Sequence, residues 1–467
     1  MPRLPHSLLL RAYKISPFLP LVLRGTRTLD SAINEFRWLQ EHVEKSNPRS
    51  PRASRKRLLH LCKRRSRAEP LQYILGSQPF GPLDIKCRPG VLIPRYSSSP
   101  FLSSRDLLTP PHRPETEAYT SHLAGLLISE KLDEFLSAPA PETKQGNIIN
   151  LRPQLSILDV CSGSGCISLL LHFLLSKSGK FPDLRTLGLD ISPQAVALAN
   201  ENLALTIQRG HFPVSNINNE AETGSRLKRK KAREAKFAFF PPDKVIHFAQ
   251  HDIFTSLTRS LGNFSIIISN PPYISSSSFA RETTRSVRLY EPKLALVPDP
   301  ENYSSLKNKS TSKSGTDPSY QTSKAESPSP KVQTTPQEID PADIFYHRLL
   351  RLSTHRSAKI LLMEVGDSSQ ALRVLKLALS RPHIAKSNKF EIWRDFPGQA
   401  PQEGEETSIN IEGQLIPVKG AGNIRSVVLF RLPSAMKGEQ DEDQNHPPQK
   451  TPTSKENRKH KPPARCK

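Results

Sequence analysis

The feature that most limits the fold is an alternation of short apolar runs and amphipathic runs that begins near residue 155. The apolar runs are aliphatic or β-branched on both faces, which is typical of strands in a parallel sheet covered by helices. Amphipathic stretches at residues 193–205 and 344–352 lie between them. The pattern predicts an α/β fold, a doubly wound Rossmann-like sheet of seven strands at residues 156–160, 186–190, 244–248, 265–269, 359–365, 390–394 and 426–432.

Residues 1–66 predict a small helical N-terminal domain, because apolar side chains recur at helical spacing between residues 31 and 66. The first 29 residues contain Arg and Lys but no Asp or Glu, together with leucine clusters. That composition is typical of an organellar presequence, and equally of a basic helix of the N-terminal domain. In residues 67–95, Gly and Pro separate short apolar runs, which predicts a hairpin and linker.

Four segments have too little apolar content to form a core, and we expect them to be disordered. They are inserts at 96–113, about 207–242 and about 301–337, and a basic tail at 434–467. The catalytic domain is thus expected to occupy residues 114–433.

Lys and Arg exceed Asp and Glu, giving a net charge of +23. Runs of cations at residues 226–236 and 455–467 carry part of this excess. Such runs are usually solvated surface, although RNA, a ribosome or another anionic partner is the alternative.

The five cysteines form no CxxC pair and no disulfide ladder, which predicts a reducing compartment and no metal site. No apolar run reaches the ~18–20 residues that a membrane-spanning helix needs, so no membrane partner is expected.

A glycine turn follows the first predicted strand. It comprises Cys161, Ser162, Gly163, Ser164 and Gly165. The two glycines allow the backbone to bend sharply and to approach a ligand without a Cβ in the way. Alone, such a turn could serve a nucleotide, a dinucleotide or no ligand.

Two acidic residues follow the next two strands. Asp190 ends the second strand, where a carboxylate can accept hydrogen bonds from both hydroxyls of a ribose. The alternative is a helix N-cap, formed by either Asp190 or Ser192. Asp252 follows the third strand and could accept a hydrogen bond from an adenine amino group, with Ile253 or Phe254 against the ring. Together with the glycine turn, these residues predict a nucleoside-binding edge.

The motif that indicates the chemistry is Asn270-Pro271-Pro272-Tyr273, which follows the fourth strand. Each proline fixes its own φ and restricts the residue before it, so the loop is stiff. The side-chain oxygen of Asn270 and the carbonyl of Pro271 can accept both N–H bonds of a planar –NH2 group, and Tyr273 can supply an apolar wall.

An amide nitrogen is a poor nucleophile because its lone pair is delocalised into the carbonyl. Acceptors on both N–H bonds can orient it and draw off positive charge as a new bond forms. The matching electrophile is a sulfonium methyl group, which needs in-line positioning rather than a metal or a covalent nucleophile. The motif therefore predicts transfer of a methyl group to an amide or amino nitrogen.

In these motifs the chain resembles the HemK/PrmC release-factor glutamine methyltransferases, particularly their eukaryotic mitochondrial members. Asn-Pro-Pro-Tyr is shared with adenine and other amino methyltransferases, whereas Leu71–Gly76 and 91–95 (Val-Leu-Ile-Pro-Arg) are specific to the glutamine enzymes. The matching segments are 67–95, 114–117, 159–169, 188–192, 270–274, 290–296, 364–367 and 422–430, and with the core between them they cover roughly two thirds of the chain.

The resemblance implies S-adenosylmethionine as cofactor and methylation of the glutamine in the Gly-Gly-Gln motif of a peptide chain release factor. It implies that the N-terminal domain helps to dock that factor, and that the enzyme lies in the mitochondrial matrix, with the cytoplasm as the alternative. Residues 161–165, Asp190, Ile253 and Asn270 would contact the cofactor, and residues 270–273 would hold the glutamine. The family runs directly from Ile-Pro-Arg into Pro-Glu-Thr-Glu, whereas here residues 96–113 intervene.

Three other functions fit part of the pattern. A nucleic-acid amino methyltransferase would use the same motif and the positive charge, but no target-recognition segment is evident. A catalytically silent RNA- or ribosome-binding homologue would retain the fold, yet the glycine turn, Asp190 and Asn270 are intact. A dinucleotide oxidoreductase would have no use for Asn-Pro-Pro-Tyr.

Overall fold

The computed structural model describes residues 4–46, 50–94, 115–129, 131–132, 154–212, 245–255, 262–298 and 340–433. Within these ranges no helix is both long and apolar enough to cross a membrane. The inserts at 96–113 and 301–337, the basic runs and the tail at 434–467 lie outside the described residues, so the predictions made for them stay predictions.

Four helices form the N-terminal domain: α1 (His6–Ile15), α2 (Leu19–Thr26), α3 (Leu29–Lys45) and α4 (Pro51–Ser66). Ser50 caps α4 by accepting a hydrogen bond from the Ala53 N–H at 3.2 Å, and Pro51 occupies the first helical position. Leu19 and Leu23 of α2 are fully buried against Leu39 of α3 and their neighbours. The basic segment at the start of the chain therefore supplies part of the core of this domain.

A short helix and a hairpin connect the two domains: α5 (Leu71–Leu75), β1 (Ser77–Phe80) and β2 (Leu83–Lys86). The strands pair antiparallel around Gly81, whose φ of +58° lies in the left-handed region that glycine adopts without strain. The backbone N–H of Lys86 donates to the side-chain oxygen of Asn202 at 2.8 Å. The hairpin is thereby fixed to a helix of the catalytic domain.

The catalytic domain is a mixed sheet with helices on both faces. Its strands are β3 (Gln154–Val160), β4 (Asp183–Asp190), β5 (Ile246–Gln250), β6 (Ile266–Ser269), β7 (Ile360–Glu364), β8 (Asn388–Phe396), β9 (Ser408–Ile411), β10 (Gln414–Lys419) and β11 (Ala421–Arg431). Its helices are α6 (Glu115–Ile128), α7 (Cys166–Ser178), α8 (Pro193–Gln208), α9 (Ser276–Glu282), α10 (Arg285–Tyr290), α11 (Ile344–His355), α12 (Ser368–Leu379) and α13 (Pro382–Ser387).

The strand order is β5-β4-β3-β6-β7-β11-β8-β10-β9, and the five strands from β5 to β7 are parallel. Two apolar clusters cover the two faces of this sheet, and strand β6 contributes buried isoleucines to both. Because parallel strands end at one edge, the loops after β3, β4, β5 and β6 meet there. In open α/β sheets that edge is where ligands bind.

The α/β fold is confirmed, and all seven predicted strands are present in the sheet, as β3 to β8 and β11. The sheet has two strands more than expected, because a hairpin of β9 and β10 extends it to nine, and β11 runs antiparallel to both β7 and β8. The hairpin turns at Glu412 and Gly413, which both have positive φ. Its strands are short and only partly buried, so no continuous apolar run marked them in the sequence.

The insert predicted from about residue 207 begins later than expected. Helix α8 continues to Gln208, and Phe212 is buried against His172 and Phe173. The aromatic side chain of Phe212 thus belongs to the core, although polar residues surround it in the sequence. Residues 213–242 lie outside the described part of the chain.

Candidate active site

A cavity of about 170 Å³ opens at the carboxyl edge of the sheet. Loops after β3, β4, β5 and β6 form its floor and sides, and segments from the linker and from the region after β6 form its rim. Among the predicted site residues, the cavity is lined by Cys161, Gly163, Asp190, Asp252, Ile253, Asn270 and Pro272. Ser162, Ser164, Gly165, Pro271 and Tyr273 do not line it.

The glycine turn uses its two glycines differently. Gly163 has φ +54°, and a Cβ added there would meet nothing within 4 Å, so this residue faces open space on the cavity side. A Cβ on Gly165 would meet Phe248 at 2.8 Å and Ala199 at 3.1 Å. Gly165 therefore permits close packing of helix α7 on the sheet, while Gly163 leaves room for a ligand. Cys161 lines the cavity with φ +63°, a strained value for a residue with a Cβ.

Ser162 and Ser164 of the turn are buried and do not line the cavity. Their predicted contact with the cofactor stays a prediction.

Asp190 lies at the end of β4 and holds the glycine turn in place. Its carboxylate accepts the Gly163 N–H at 2.8 Å and the Ser192 N–H at 2.9 Å. Ser192, rather than Asp190, caps helix α8 through a hydrogen bond from the Ala195 N–H. Burial raises the pKa of Asp190, and the N–H donors of Ser192 and Gly163 oppose that shift. Its carboxylate keeps lone pairs that can accept hydroxyl donors from the cavity.

Asp159 lies under the same turn and was not singled out from the sequence. It is fully buried and accepts both the N–H and the hydroxyl of Ser168, at 3.2 and 2.6 Å. Burial raises its pKa to about 7. The sequence feature that could have identified Asp159 is the presence of an acidic residue within an apolar strand.

Asp252 and Ile253 form the side of the cavity below β5. Asp252 accepts the Phe254 N–H at 2.9 Å, which fixes the loop. The ring of Phe254 packs edge-on against Phe345 of helix α11 at 5.0 Å between centroids. Phe254 and Phe345 line the cavity together with Ile253 and provide an apolar wall suited to a flat heterocycle.

The Asn270–Tyr273 loop forms the next wall. Asn270 and Pro272 line the cavity, and no hydrogen bond among the described residues uses the Asn270 side chain. Tyr273 faces the protein: its hydroxyl donates to Glu364 at 3.2 Å, and its carbonyl accepts from the Gln370 side chain at 3.2 Å. Tyr273 does not line this cavity, and its expected role as an apolar wall for the substrate amide stays a prediction.

Glu364 is the residue that connects this loop to the rest of the domain. Its fully buried carboxylate accepts hydroxyl donors from Thr116 at 3.0 Å, Tyr119 at 2.8 Å and Tyr273 at 3.2 Å. Nearby, Arg425 pairs with Glu115 at 3.1 Å and Asp395 at 2.9 Å. The sequence feature that could have identified Glu364 is a carboxylate at the end of an apolar strand.

The rim comes from segments that the sequence did not assign to the site. Gly90, Val91 and Leu92 of the linker lie on it, as do Leu294 and its neighbours after β6. The Tyr73 hydroxyl donates to the Val91 carbonyl at 2.8 Å, which fixes the linker over the cavity.

The residues present fit a nucleoside cofactor. Asp190 offers free acceptor positions for ribose hydroxyls, Ile253 and Phe254 offer an apolar wall with Asp252 beside it, and Gly163 leaves space where a side chain would intrude. The free amide of Asn270 lies on the same cavity, where a substrate nitrogen could meet the cofactor.

Comparison with known proteins identifies the family. The chain is 30% identical over 310 residues to the mitochondrial MRF1 N(5)-glutamine methyltransferase MTQ1 of Saccharomyces cerevisiae, a match covering 66% of this chain and 72% of that protein. It is 31% identical to the corresponding probable enzyme of Schizosaccharomyces pombe, over 63% of this chain and 73% of that protein. The chain belongs to the release-factor glutamine methyltransferase family.

Other comparisons give shorter or more distant matches. Bacterial release factor glutamine methyltransferases match over shorter regions, as for Bifidobacterium longum with 28% identity over 50% of this chain and 54% of that protein. Residues 185–322 match the family model of the Eco57I restriction-modification methylases. A putative class I S-adenosylmethionine-dependent methyltransferase structure from Listeria monocytogenes is 13% identical over 74% of this chain and 73% of its own, with a TM-score of 0.31.

Membership of the release-factor glutamine methyltransferase family makes this chain an enzyme that uses S-adenosylmethionine. Six of the predicted site residues line the cavity and could hold that cofactor: Cys161, Gly163, Asp190, Asp252, Ile253 and Asn270.

We predict that Asp190→Ala weakens S-adenosylmethionine binding by ~1–3 kcal/mol, because hydroxyl donors of the ribose and the Gly163 N–H lose their acceptor. Calorimetric titration of the cofactor measures this change. Asp183→Ala is the matched control, since Asp183 is half-exposed at the opposite end of the same strand. An unchanged dissociation constant in Asp190→Ala would remove this residue from the ribose site.

We also predict that Asp159→Asn alters the pH dependence of stability. The folded pKa of about 7 lies above the ordinary value of 3.8, so the stability contributed by Asp159 is present below 3.8 and is lost as pH rises through about 7. The free energy of unfolding of the wild type should therefore fall, relative to the Asn variant, between about pH 4 and pH 7. Denaturant titrations across that range test the prediction, and parallel profiles for the two proteins would contradict it.

Proposed function

We propose that this enzyme transfers a methyl group from S-adenosylmethionine to the side-chain amide nitrogen of a glutamine, within the Gly-Gly-Gln motif of a mitochondrial peptide chain release factor. The observation that carries the proposal is the placement of Asn270 and Pro272 on the wall of the cavity that Asp190 and Asp252 line. A planar amide entering this cavity could meet the Asn270 side chain beside the cofactor site, and the carbonyl of the next residue, Pro271, is the second proposed acceptor, although Pro271 itself does not line the cavity.

In the proposed reaction, the Asn270 side-chain oxygen and the Pro271 carbonyl accept the two N–H bonds of the glutamine amide. These hydrogen bonds orient the nitrogen lone pair and draw off the positive charge that develops as the new bond forms. S-adenosylmethionine supplies a methyl group already activated by its sulfonium charge. As the bond from nitrogen to the methyl carbon forms, the bond from that carbon to sulfur would break, so S-adenosylhomocysteine would leave as a neutral thioether. The surplus proton would pass from nitrogen to solvent.

Tyr273 positions the loop rather than contacting the reacting atoms. Its hydroxyl is held by Glu364 and its carbonyl by Gln370, so both ends of the residue are fixed. Positioning of this kind can supply ~7–11 kcal/mol of a barrier when the reacting atoms are held in line. This gives Tyr273 a positioning role in addition to the apolar wall expected from the sequence.

The release factor as substrate is supported by the names of the relatives, which act on MRF1 in yeast or on bacterial release factors. A mitochondrial matrix location is supported by the mitochondrial designation of both yeast relatives. Contact between RNA or the ribosome and the basic runs at 226–236 and 455–467 is a further hypothesis, which the nucleic-acid arms of the assay below address.

One observation favours the nucleic-acid alternative: residues 185–322 match a family of restriction-modification methylases. That stretch includes Asn-Pro-Pro-Tyr, which serves amino groups of bases and amides alike. The linker segments that line the rim, by contrast, are those that resemble the glutamine enzymes. We therefore favour the protein substrate.

A radiolabelled methyl-transfer assay tests the proposed function directly. The substrates are a mitochondrial release factor with Gly-Gly-Gln, its Gln→Ala variant, bulk RNA and bulk DNA. We expect label on the unmodified factor alone, because the cavity binds one side-chain amide. Label on nucleic acid would support the alternative class, and no label on any substrate would overturn the proposal.

We predict that Asn270→Ala lowers kcat by at least about a hundredfold while the S-adenosylmethionine dissociation constant changes less than about threefold, because contacts made in the transition state are lost. Steady-state kinetics and cofactor titration separate the two effects. Asn200→Ala, on the exposed face of α8, is the matched control. Equal losses in catalysis and cofactor affinity would show that Asn270 is mainly a cofactor ligand.

A further inference from the structure

The segment that follows the Asn270–Tyr273 loop leaves the domain surface and returns to it at one point. The Ile274 N–H donates to the Leu296 carbonyl at 2.9 Å, so the chain between them is closed at its base. We call residues 275–295 the flap. It contains α9, α10 and a 3-10 turn (Lys293–Ala295), and none of these elements contains a buried residue.

The flap has regular secondary structure, although its helices and its 3-10 turn contain no buried residue. Ser275 and Thr284 cap its two helices by accepting N–H donors of Ser278 and Val287, at 3.0 and 3.4 Å. Tyr290 packs against the linker residues Tyr73 and Ile93. Its hydroxyl also donates to the Arg67 carbonyl at 3.3 Å. The flap is thus fixed on its linker side, which leaves its outer surface available.

That outer surface carries leucines that the fold does not cover. Leu289 is 58% exposed and Leu294 is 48% exposed. Leu294 also lines the cavity, as does Ile191, which is 43% exposed on the turn after β4. Leu294 and Ile191 therefore lie at the mouth of the cavity, and Leu289 lies on the same flap outside the cavity lining. Exposed large apolar side chains beside a cavity are typical of a surface that binds a partner.

The chemistry of the substrate indicates which molecule would bind the exposed surface of the flap. A glutamine belonging to a folded protein can reach Asn270 only if the chain on either side of it lies across the mouth of the cavity. The residues at that mouth must then touch the substrate protein. The flap also carries four cations (Arg281, Arg285, Arg288 and Lys293) against two carboxylates (Glu282 and Glu291), so it favours a neutral or acidic partner surface.

We infer that the flap docks the protein substrate, with Leu289 and Leu294 contacting the surface of the release factor around its methylated glutamine. This inference rests on the proposed function and adds the surface that selects the substrate. Leu294 contacts residues next to the glutamine, because it lies on the cavity itself. Leu289 contacts a more distant part of the factor, because it lies outside the cavity lining.

The test compares Leu289→Ala with Leu415→Ala, which truncates a leucine that is 67% exposed on the β9–β10 hairpin at the far edge of the sheet. Kinetics are measured with the intact release factor and with a short peptide containing Gly-Gly-Gln. We expect Leu289→Ala to raise KM for the intact factor about fivefold to tenfold, the effect of truncating a residue that carries an appreciable part of the binding energy. Its KM for the peptide should change less than about twofold, as should both KM values of Leu415→Ala.

Leu294→Ala should raise KM for both the factor and the peptide, because this side chain borders the cavity. Hydrogen exchange gives a readout independent of turnover: amides of residues 276–290 should become protected when the factor binds. A KM for the intact factor that is unchanged in Leu289→Ala, with no added protection, would overturn the docking role while leaving the proposed function intact. Absence of methylation of any factor by the wild type would instead overturn the proposed function.

Discussion

The structure of the site depends on one buried carboxylate. Glu364 has no solvent access and accepts three hydroxyl donors, so its charge is balanced by directed hydrogen bonds rather than by water. Those donors come from helix α6 and from Tyr273, so one side chain joins the start of the catalytic domain to the loop that holds the substrate amide. The two prolines fix the shape of the Asn270–Tyr273 loop, but they do not fix its orientation relative to the cofactor site. Glu364 and Gln370 supply that direction.

The described residues on either side of 96–113 are held by contacts within the described part of the chain. Before this segment, Val91 and Leu92 lie at the rim of the cavity, and the Tyr73 hydroxyl donates to the Val91 carbonyl. After it, Thr116 and Tyr119 donate to Glu364. Both sides of the site are therefore positioned by contacts among described residues.

Local patterns explain which parts could be predicted from the sequence. The seven predicted strands were visible because burial on both faces requires continuous apolar runs, and Asp190 and Asn270 were visible because each ends such a run. Glu364 was missed because Thr116 and Tyr119, which donate to it, are distant in the chain, and no spacing rule reveals such contacts. Asp159 was missed because its role is to hold Ser168 at the start of the next helix, a contact that no motif marks. The β9–β10 hairpin was missed because its strands are short and only partly buried.

The cofactor end and the substrate end of the cavity have different physical requirements. The cofactor end is assembled from buried, hydrogen-bonded turns, because a small molecule must be held in one position for in-line transfer. The substrate end is an exposed flap, because a folded protein must arrive, insert one side chain and leave. Ile274 and Leu296 close the base of that flap next to Tyr273, so the surface available for docking begins where the rigid loop ends. Recognition of the protein and orientation of its amide therefore occupy adjoining parts of one continuous chain segment.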